Sequence, residues 1–119
     1  MNTKKILVVE DEPDLGEIMQ IALSQAGYEV KILLSGKGIE SHVEKFLPSL
    51  IMMDLWMPGL DGSELTKKLK SNKKTKNIPI ILVSARNSLE KIAKQSKADG
   101  FLSKPFDIKN LISTVKKFI

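Results

Sequence analysis

The sequence contains no cysteine and a single histidine, His42. Disulfides, thiolate metal sites and a cysteine nucleophile are therefore excluded, a reducing compartment fits, and any metal must sit on oxygen or on that one imidazole. Apolar runs are short: none approaches the roughly 18 residues of a membrane helix. Met1-Asn2-Thr3-Lys4-Lys5 leads straight into a strand-like segment without a signal-peptide core, so a cytoplasmic protein with no membrane insertion is expected. Arginine is nearly absent, Arg86 standing alone, and aromatic residues make up only 5% of the chain. No internal repeat and no linker interrupts it.

What is present describes a folded unit. The 119 residues are 42% hydrophobic and 28% charged, an ordinary globular profile and enough chain to bury about two-thirds of its unfolded surface around one core. One domain spanning 1–119 is expected. The net charge of +5 hides a polarity, because residues 1–64 carry 11 acidic and 5 basic side chains whereas residues 65–119 carry 3 and 14.

Ile6-Leu7-Val8-Val9 is a continuous apolar run that reads as a strand buried on both faces. Pro13 then suits a first helical turn, Leu15, Ile18, Met19, Ala22 and Ala26 follow at helical spacing, and Gly27 stops the helix. Tyr28 to Leu34 alternates charged and apolar residues, as an edge strand does. A short helix follows from about Lys37 to Phe46. Leu50-Ile51-Met52-Met53 and the run Ile78 to Val83 read as interior strands, separated by a helix from about Gly62 to Lys70 and a lysine-rich connector, Ser71 to Asn77. Leu89, Ile92 and Ala93 mark a fourth helix and Phe101-Leu102 a fifth strand. Ile108, Leu111, Ile112, Val115 and Ile119 mark a last helix capped by Asp107. Strands and helices alternating five times predict an α/β fold with a five-stranded parallel sheet and helices on both faces.

In such a sheet ligands bind beyond the carboxyl ends of the strands. The first strand ends in Glu10-Asp11, the third in Asp54, the fourth in Ser84 and the fifth in Lys104. Carboxylates brought to one rim repel by roughly 4 kcal/mol per pair at 4 Å and an effective dielectric near 20. They need a cation. Oxygen donors without cysteine suit Mg2+, and Lys104 supplies a fixed positive charge. Helix capping accounts for Asp14 and Asp61, but not for Asp54, which precedes Leu55-Trp56-Met57-Pro58-Gly59, a loop with no helix immediately after it.

The segments KILVVEDEPDL, LIMMDLWMPGLDG, IPIILVSA and GFLSKPF resemble the signature segments of the receiver domain of two-component response regulators, in order and across the whole chain. The resemblance implies a doubly wound (βα)5, flavodoxin-like sandwich with strand order 2-1-3-4-5. It implies that Asp54 accepts a phosphoryl group from a sensor histidine kinase or phosphotransfer protein. Mg2+ would be bound by Asp11, Asp54 and the Trp56 carbonyl, with Glu10 acting through water. Ser84 and Lys104 would contact the phosphoryl oxygens, and Phe101 would be the aromatic switch coupled to Ser84. Ser in place of the commoner Thr, and Phe in place of Tyr, are mild departures. Lys104-Pro105 is expected to be cis, and Trp56 and Arg86 to flank the phosphoryl group.

Other features read more plainly. Gly36-Lys37-Gly38 is a turn, since Ser41 stands where a phosphate loop would need a third glycine. His42 is a surface side chain. Met52, Met53 and Met57 pack the core. Lys67, Lys68, Lys70, Lys73, Lys74 and Lys76 form a solvated basic run without interleaved aromatics, so direct nucleic-acid binding is not expected. Lys91, Lys94 and Lys97 on the fourth helix and Lys109, Lys116 and Lys117 on the last make a basic face around the fifth strand, which a downstream acidic protein would read. Asp99-Gly100 replaces the Asp-Asp pair of dimerising regulators, so a monomer is expected. The chain should catalyse only its own phosphotransfer and dephosphorylation. Two alternatives stand beside this reading: a receiver cut from a longer DNA-binding regulator, and a phosphoaspartyl hydrolase. The hydrolase lacks its usual second acid, because Trp56 occupies that position.

Overall fold

The computed structural model describes residues 3–85 and 87–119; Met1, Asn2 and Arg86 lie outside the described residues. In chain order the elements are β1 (Lys5–Val9), α1 (Pro13–Gln25), β2 (Glu29–Leu33), α2 (Ile39–Phe46) and β3 (Leu50–Asp54). A hairpin of β4 (Trp56–Met57) and β5 (Leu60–Asp61) follows, then α3 (Gly62–Ser71), β6 (Ile80–Ser84), α4 (Leu89–Gln95), β7 (Gly100–Ser103) and α5 (Ile108–Lys116). The main sheet is parallel with the order β2-β1-β3-β6-β7. Setting the hairpin aside, this is the expected 2-1-3-4-5. No described helix is long and apolar enough to cross a membrane.

Consecutive strand residues point to opposite faces, and unbroken apolar runs therefore build two cores at once. Leu7, Val9, Ile51, Met53, Ile80 and Leu82 meet Val43 of α2, Leu69 of α3 and Ala93 of α4. Ile6, Val8, Leu50, Met52, Ile81 and Val83 meet Met19 and Leu23 of α1 and Leu111 and Val115 of α5. Met52, Met53 and Met57 are buried, and His42 is half-buried.

Several local readings are corrected, among them the last helix, which ends at Lys116, short of Ile119. The segment after Asp54 is not a simple loop: Met57-Pro58-Gly59-Leu60 closes the β4–β5 hairpin, with Gly59 at φ 75° where a Pro-Gly turn needs a left-handed residue. The second helix starts at Ile39 rather than Lys37, because Gly38 before it is left-handed and cannot lie inside a helix. Lys97 is outside α4, at φ 66° beyond the Ser96 cap, so the basic stripe on that helix is shorter than the spacing implied. Lys70 is not solvated. Its ammonium donates to the carbonyls of Lys76 (3.2 Å) and Ile78 (2.9 Å) and pairs with Asp99, which also accepts from the Ile80 amide at 2.8 Å. Capping is as expected at Asp61, which accepts from the Ser63 amide, and at Asp107, which accepts from the Asn110 amide. α1 has no side-chain cap from Asp11 or Asp14, since Glu12 is its cap residue and makes no such bond.

Leu47 (φ 53°) and Lys97 (φ 66°) are the non-glycine residues with left-handed backbones among those described. Such a residue closes a helix by letting the next amides turn back, as Ala98 does to the Ala93 carbonyl at 2.9 Å, but a Cβ makes it costly. Lys97→Gly is expected to stabilise the fold by about 0.5–1 kcal/mol, read as a higher thermal midpoint, despite the greater freedom of glycine in the unfolded chain.

Candidate functional site

Each polar residue of interest follows an apolar run that is anchored in the sheet, so its backbone position is fixed by burial rather than by the polar group. Glu10 continues β1, with its amide donating to the Leu33 carbonyl at 2.9 Å. Asp54 ends β3 in register with Val83, Ser84 ends β6 in register with Ser103, and Lys104 follows β7 with its amide on the Ser84 carbonyl at 2.9 Å. By strand alternation Glu10, Asp54 and Lys104 share the α1–α5 face, whereas Ser84 and Phe101 share the α2–α3–α4 face.

The convergence is close. Glu10, Asp11 and Asp54 each present a carboxylate oxygen, and these lie within 4.8 Å of one another. The Lys104 ammonium is 3.1 Å from Glu10 and 3.6 Å from Asp54. Glu10 also accepts from the Glu12 amide at 3.1 Å, which fixes its carboxylate against the start of α1. Lys104-Pro105 is cis, as expected. Gly62 lets α3 begin directly behind the site: its amide donates to the Leu55 carbonyl at 2.7 Å, and a Cβ there would collide with the Asp54 carbonyl.

Asp54 is buried, and its pKa is pushed up to about 7. Burial is the largest cause, followed by the negative charge of Glu10; Lys104 opposes both, and a hydrogen bond with Asp11 adds to the rise. Burial alone would lower Lys104, but its hydrogen bond to Glu10 and the charges of Asp54, Glu10 and Glu12 outweigh that and hold it above the ordinary lysine value. One lysine thus does not neutralise three clustered carboxylates. The oxygen donors and the uncompensated charge fit a hard divalent cation. Of the other expected residues, Trp56 opens β4 with its side chain half-exposed, while Ser84, buried at the end of β6, and Phe101, 40% exposed on β7, belong to the opposite face of the sheet. Arg86 lies outside the described residues.

One feature beside the site has no signal in the hydrophobic pattern. Leu15, Ala85, Lys104, Pro105 and Phe106 line an apolar recess of about 350 Å3 next to the carboxylates. Apart from Lys104, each residue looks like ordinary core or loop, and only the fold brings the start of α1 against the two strand ends.

The family model for the response regulator receiver domain matches residues 6–116. The phosphate regulon transcriptional regulatory protein PhoB of Rhizobium meliloti is 33% identical over 117 residues, covering 97% of this chain and 52% of that protein. The chain spans about half the length of the curated relatives it matches. Among solved structures, the chemotaxis protein CheY4 of Vibrio cholerae superposes with a TM-score of 0.91 at 28% identity, covering 99% of this chain and 100% of that one. The receiver domain of the sensor histidine kinase PA1611 of Pseudomonas aeruginosa, 27% identical with a TM-score of 0.86 and 98% coverage of both chains, is described with a magnesium ion coordinated in its active site cleft.

The raised Asp54 pKa has a definite sign. Between pH about 4 and about 7 the folded chain binds a proton that the unfolded chain has released, so its stabilising effect is full below pH 4 and lost as pH rises through 7. A cation must displace the same proton. Mg2+ affinity, followed through Trp56 fluorescence, is expected to fall about tenfold between pH 8 and pH 6. Asp11→Ala should weaken it at both pH values. At pH 8 without metal, Asp54→Asn should unfold at a higher temperature than the parent; an equal or lower midpoint contradicts the assigned repulsion.

Proposed function

The chain belongs to the response regulator receiver domain family, and on that premise we propose that it accepts a phosphoryl group on Asp54 from a histidine kinase or phosphotransfer protein. The observation that carries the proposal is the meeting of Glu10, Asp11 and Asp54 within 4.8 Å, with Lys104 at 3.6 Å from Asp54. Asp54 is the acceptor on this reading because, at the end of the central strand β3, its carboxylate is within reach of both other acids and of the Lys104 ammonium. Its carboxylate oxygen attacks phosphorus in line as the bond from phosphorus to the donor nitrogen breaks, and little other covalent chemistry is needed. Asp11, Asp54 and the Trp56 carbonyl would hold Mg2+, with Glu10 acting through water. When bound, the ion offsets negative charge on the phosphoryl oxygens.

This chain's own groups do the positioning. Lys104 exchanges part of its pairing with Glu10 and Asp54 for a phosphoryl oxygen. Ser84 donates its hydroxyl to another. Because Ser84 and Phe101 share a sheet face, movement of the hydroxyl opens space into which the half-exposed Phe101 ring can turn. That would reshape the face made by α4, β7 and α5, where a downstream protein would dock. The apolar recess of Leu15, Pro105 and Phe106 gives the donor protein a surface beside the acceptor. On this reading residues 1–119 form one receiver unit, working in the cytoplasm and turning over only its own phosphoryl group.

A second reading is favoured by the length and names of the relatives: the unit serves within a longer DNA-binding regulator and pairs through the same face when phosphorylated. Sedimentation separates the two. A phosphorylation-dependent dimer abolished by Lys91→Glu or Lys117→Glu supports the longer regulator, and a persistent monomer supports the stand-alone switch.

Incubation with acetyl phosphate and Mg2+ is expected to add one hydroxylamine-labile phosphoryl group, detected by mass. Asp54→Asn should gain none; a variant that still gains it assigns the acceptor elsewhere. Trp56, half-exposed at the rim, should screen the phosphoryl group from in-line water. Trp56→Ala is expected to shorten the phosphoaspartate lifetime severalfold, and an unchanged lifetime removes that role.

A further inference from the structure

The end of the sheet opposite Asp54 carries features that phosphotransfer does not use. Leu47 closes α2 in a left-handed conformation and is 71% exposed, although asparagine or glycine would satisfy that backbone more easily and an exposed leucine gains nothing from water. It borders a groove of about 420 Å3 lined by Val43, Glu44, Leu47, Lys74, Thr75 and Ile78. The groove lies between the end of α2 and the connector from α3 to β6.

That connector is fixed. The Thr75 hydroxyl donates to the Leu69 carbonyl at 2.6 Å, the Lys76 amide to the Asn72 carbonyl at 2.8 Å and the Lys74 amide to the Asn72 side chain at 2.9 Å, while partly buried Lys70 holds the carbonyls of Lys76 and Ile78. Lys73, Lys74 and Lys76 project from this frame, exposed and without an acidic partner among the described residues. Glu44 is the one acid in the lining. An apolar slot lined by Lys74, with exposed Lys73 and Lys76 on the same fixed connector, is complementary to one kind of occupant.

We propose that this groove docks an acidic amphipathic segment of a partner protein, seating an apolar side chain between Leu47 and Ile78 and carboxylates on Lys73, Lys74 and Lys76. The backbone that carries these lysines is already fixed, so docking orders side chains but no loop, which favours a defined partner over diffuse attraction. A nucleic acid suits the surface less, because the lysines border apolar side chains and no aromatic ring or arginine stands among them. Asp54 lies at the far end of β3, about 13 Å from its first residue Leu50 (four rises of roughly 3.3 Å), so docking here leaves the phosphoacceptor open.

The test uses a labelled helical peptide of about 16 residues with leucine on one face and glutamate and aspartate on the other, a version with serine for leucine, and a short DNA duplex. The leucine peptide should bind the whole chain and shift the amide resonances of residues 43–47 and 73–78. Leu47→Asn should weaken it at least roughly fivefold while leaving the melting temperature equal or higher, and the pair Lys73→Glu with Lys74→Glu should do likewise for binding. Asp54→Asn should bind as the parent does, so the result is independent of phosphotransfer. No binding at millimolar peptide, equal binding of the serine version, undiminished binding by Leu47→Asn, or tighter binding of the duplex overturns the proposal.

Discussion

Three carboxylates held at one end of a parallel sheet, with a single lysine among them, are the constraint around which the rest of this molecule is arranged. At separations near 4 Å each pair of charges costs roughly 4 kcal/mol at an effective dielectric of 20, and no flexible loop would keep them together. The sheet does it with covalent continuity. Glu10 and Asp54 are the next residues, or the last, of strands whose preceding residues are essentially unexposed, so moving a carboxylate away means dragging Val9 or Met53 out of a packed layer. The repulsion is held in the fold because apolar burial on both faces outweighs it. The Lys104 ammonium relieves part of it, while burial first and the charge of Glu10 second still raise Asp54 to about 7.

The same arithmetic of alternation explains why so much was readable from the chain. A strand of consecutive apolar residues can only be buried on both sides, and the first polar residue after it must emerge at the strand's end; Val9-Glu10, Met53-Asp54 and Val83-Ser84 are such junctions. Counting forward along the run even fixes the face, which is why Asp54 and Glu10 meet while Ser84 turns toward α4. What was not readable depended on contacts across the fold. Lys70 sits within a basic run and carries no mark that separates it from Lys68, yet the turn of α3 points it inward beneath the connector, where carbonyls and Asp99 await it. The β4–β5 hairpin rests on two-residue strands too short for any period to register, and it is seen only because Gly62 lets the chain pass close behind Asp54. Lys97 was assigned to α4 on a spacing of three. Helix ends are decided by which amides can turn back, and the left-handed residue that permits it carried a side chain glycine logic does not anticipate.

The placement of charge along the strand direction adds a further consequence. Because all five helices run antiparallel to the sheet strands, their C-terminal ends gather at the pole away from Asp54, and the carbonyls there favour positive charge. Lys45, Lys70 and Lys116 lie in last turns of α2, α3 and α5, while Asp14, Glu40, Glu64 and Glu90 lie in the first turns of α1 to α4. The acidic rim and the basic pole are therefore each consistent with the helix dipoles, and neither needs a ligand to exist. What the dipoles leave unexplained is specific. They do not require three carboxylates to share one pocket, and they do not require a leucine at a left-handed, exposed helix end.

The switch proposed for Ser84 and Phe101 would have to work across the sheet, since Asp54 faces α1 and α5 while Phe101 faces the opposite layer. β6 is the place where that crossing is shortest. Ser84 follows Val83, the register partner of Asp54, and its own register partner is Ser103, two residues beyond Phe101 and therefore on the same face of β7. A hydroxyl that is drawn toward a charge on Asp54 must come from the other side of β6, and what it vacates lies along that side, toward the Phe101 ring. In a layer packed as tightly as Leu82 and Leu89, such space cannot stay empty, because unfilled volume in a core is destabilising. The half-exposed phenylalanine is the large side chain on that face of β7 with room to move, so the proposed coupling would need only packing and strand parity, with no hydrogen bond to the ring.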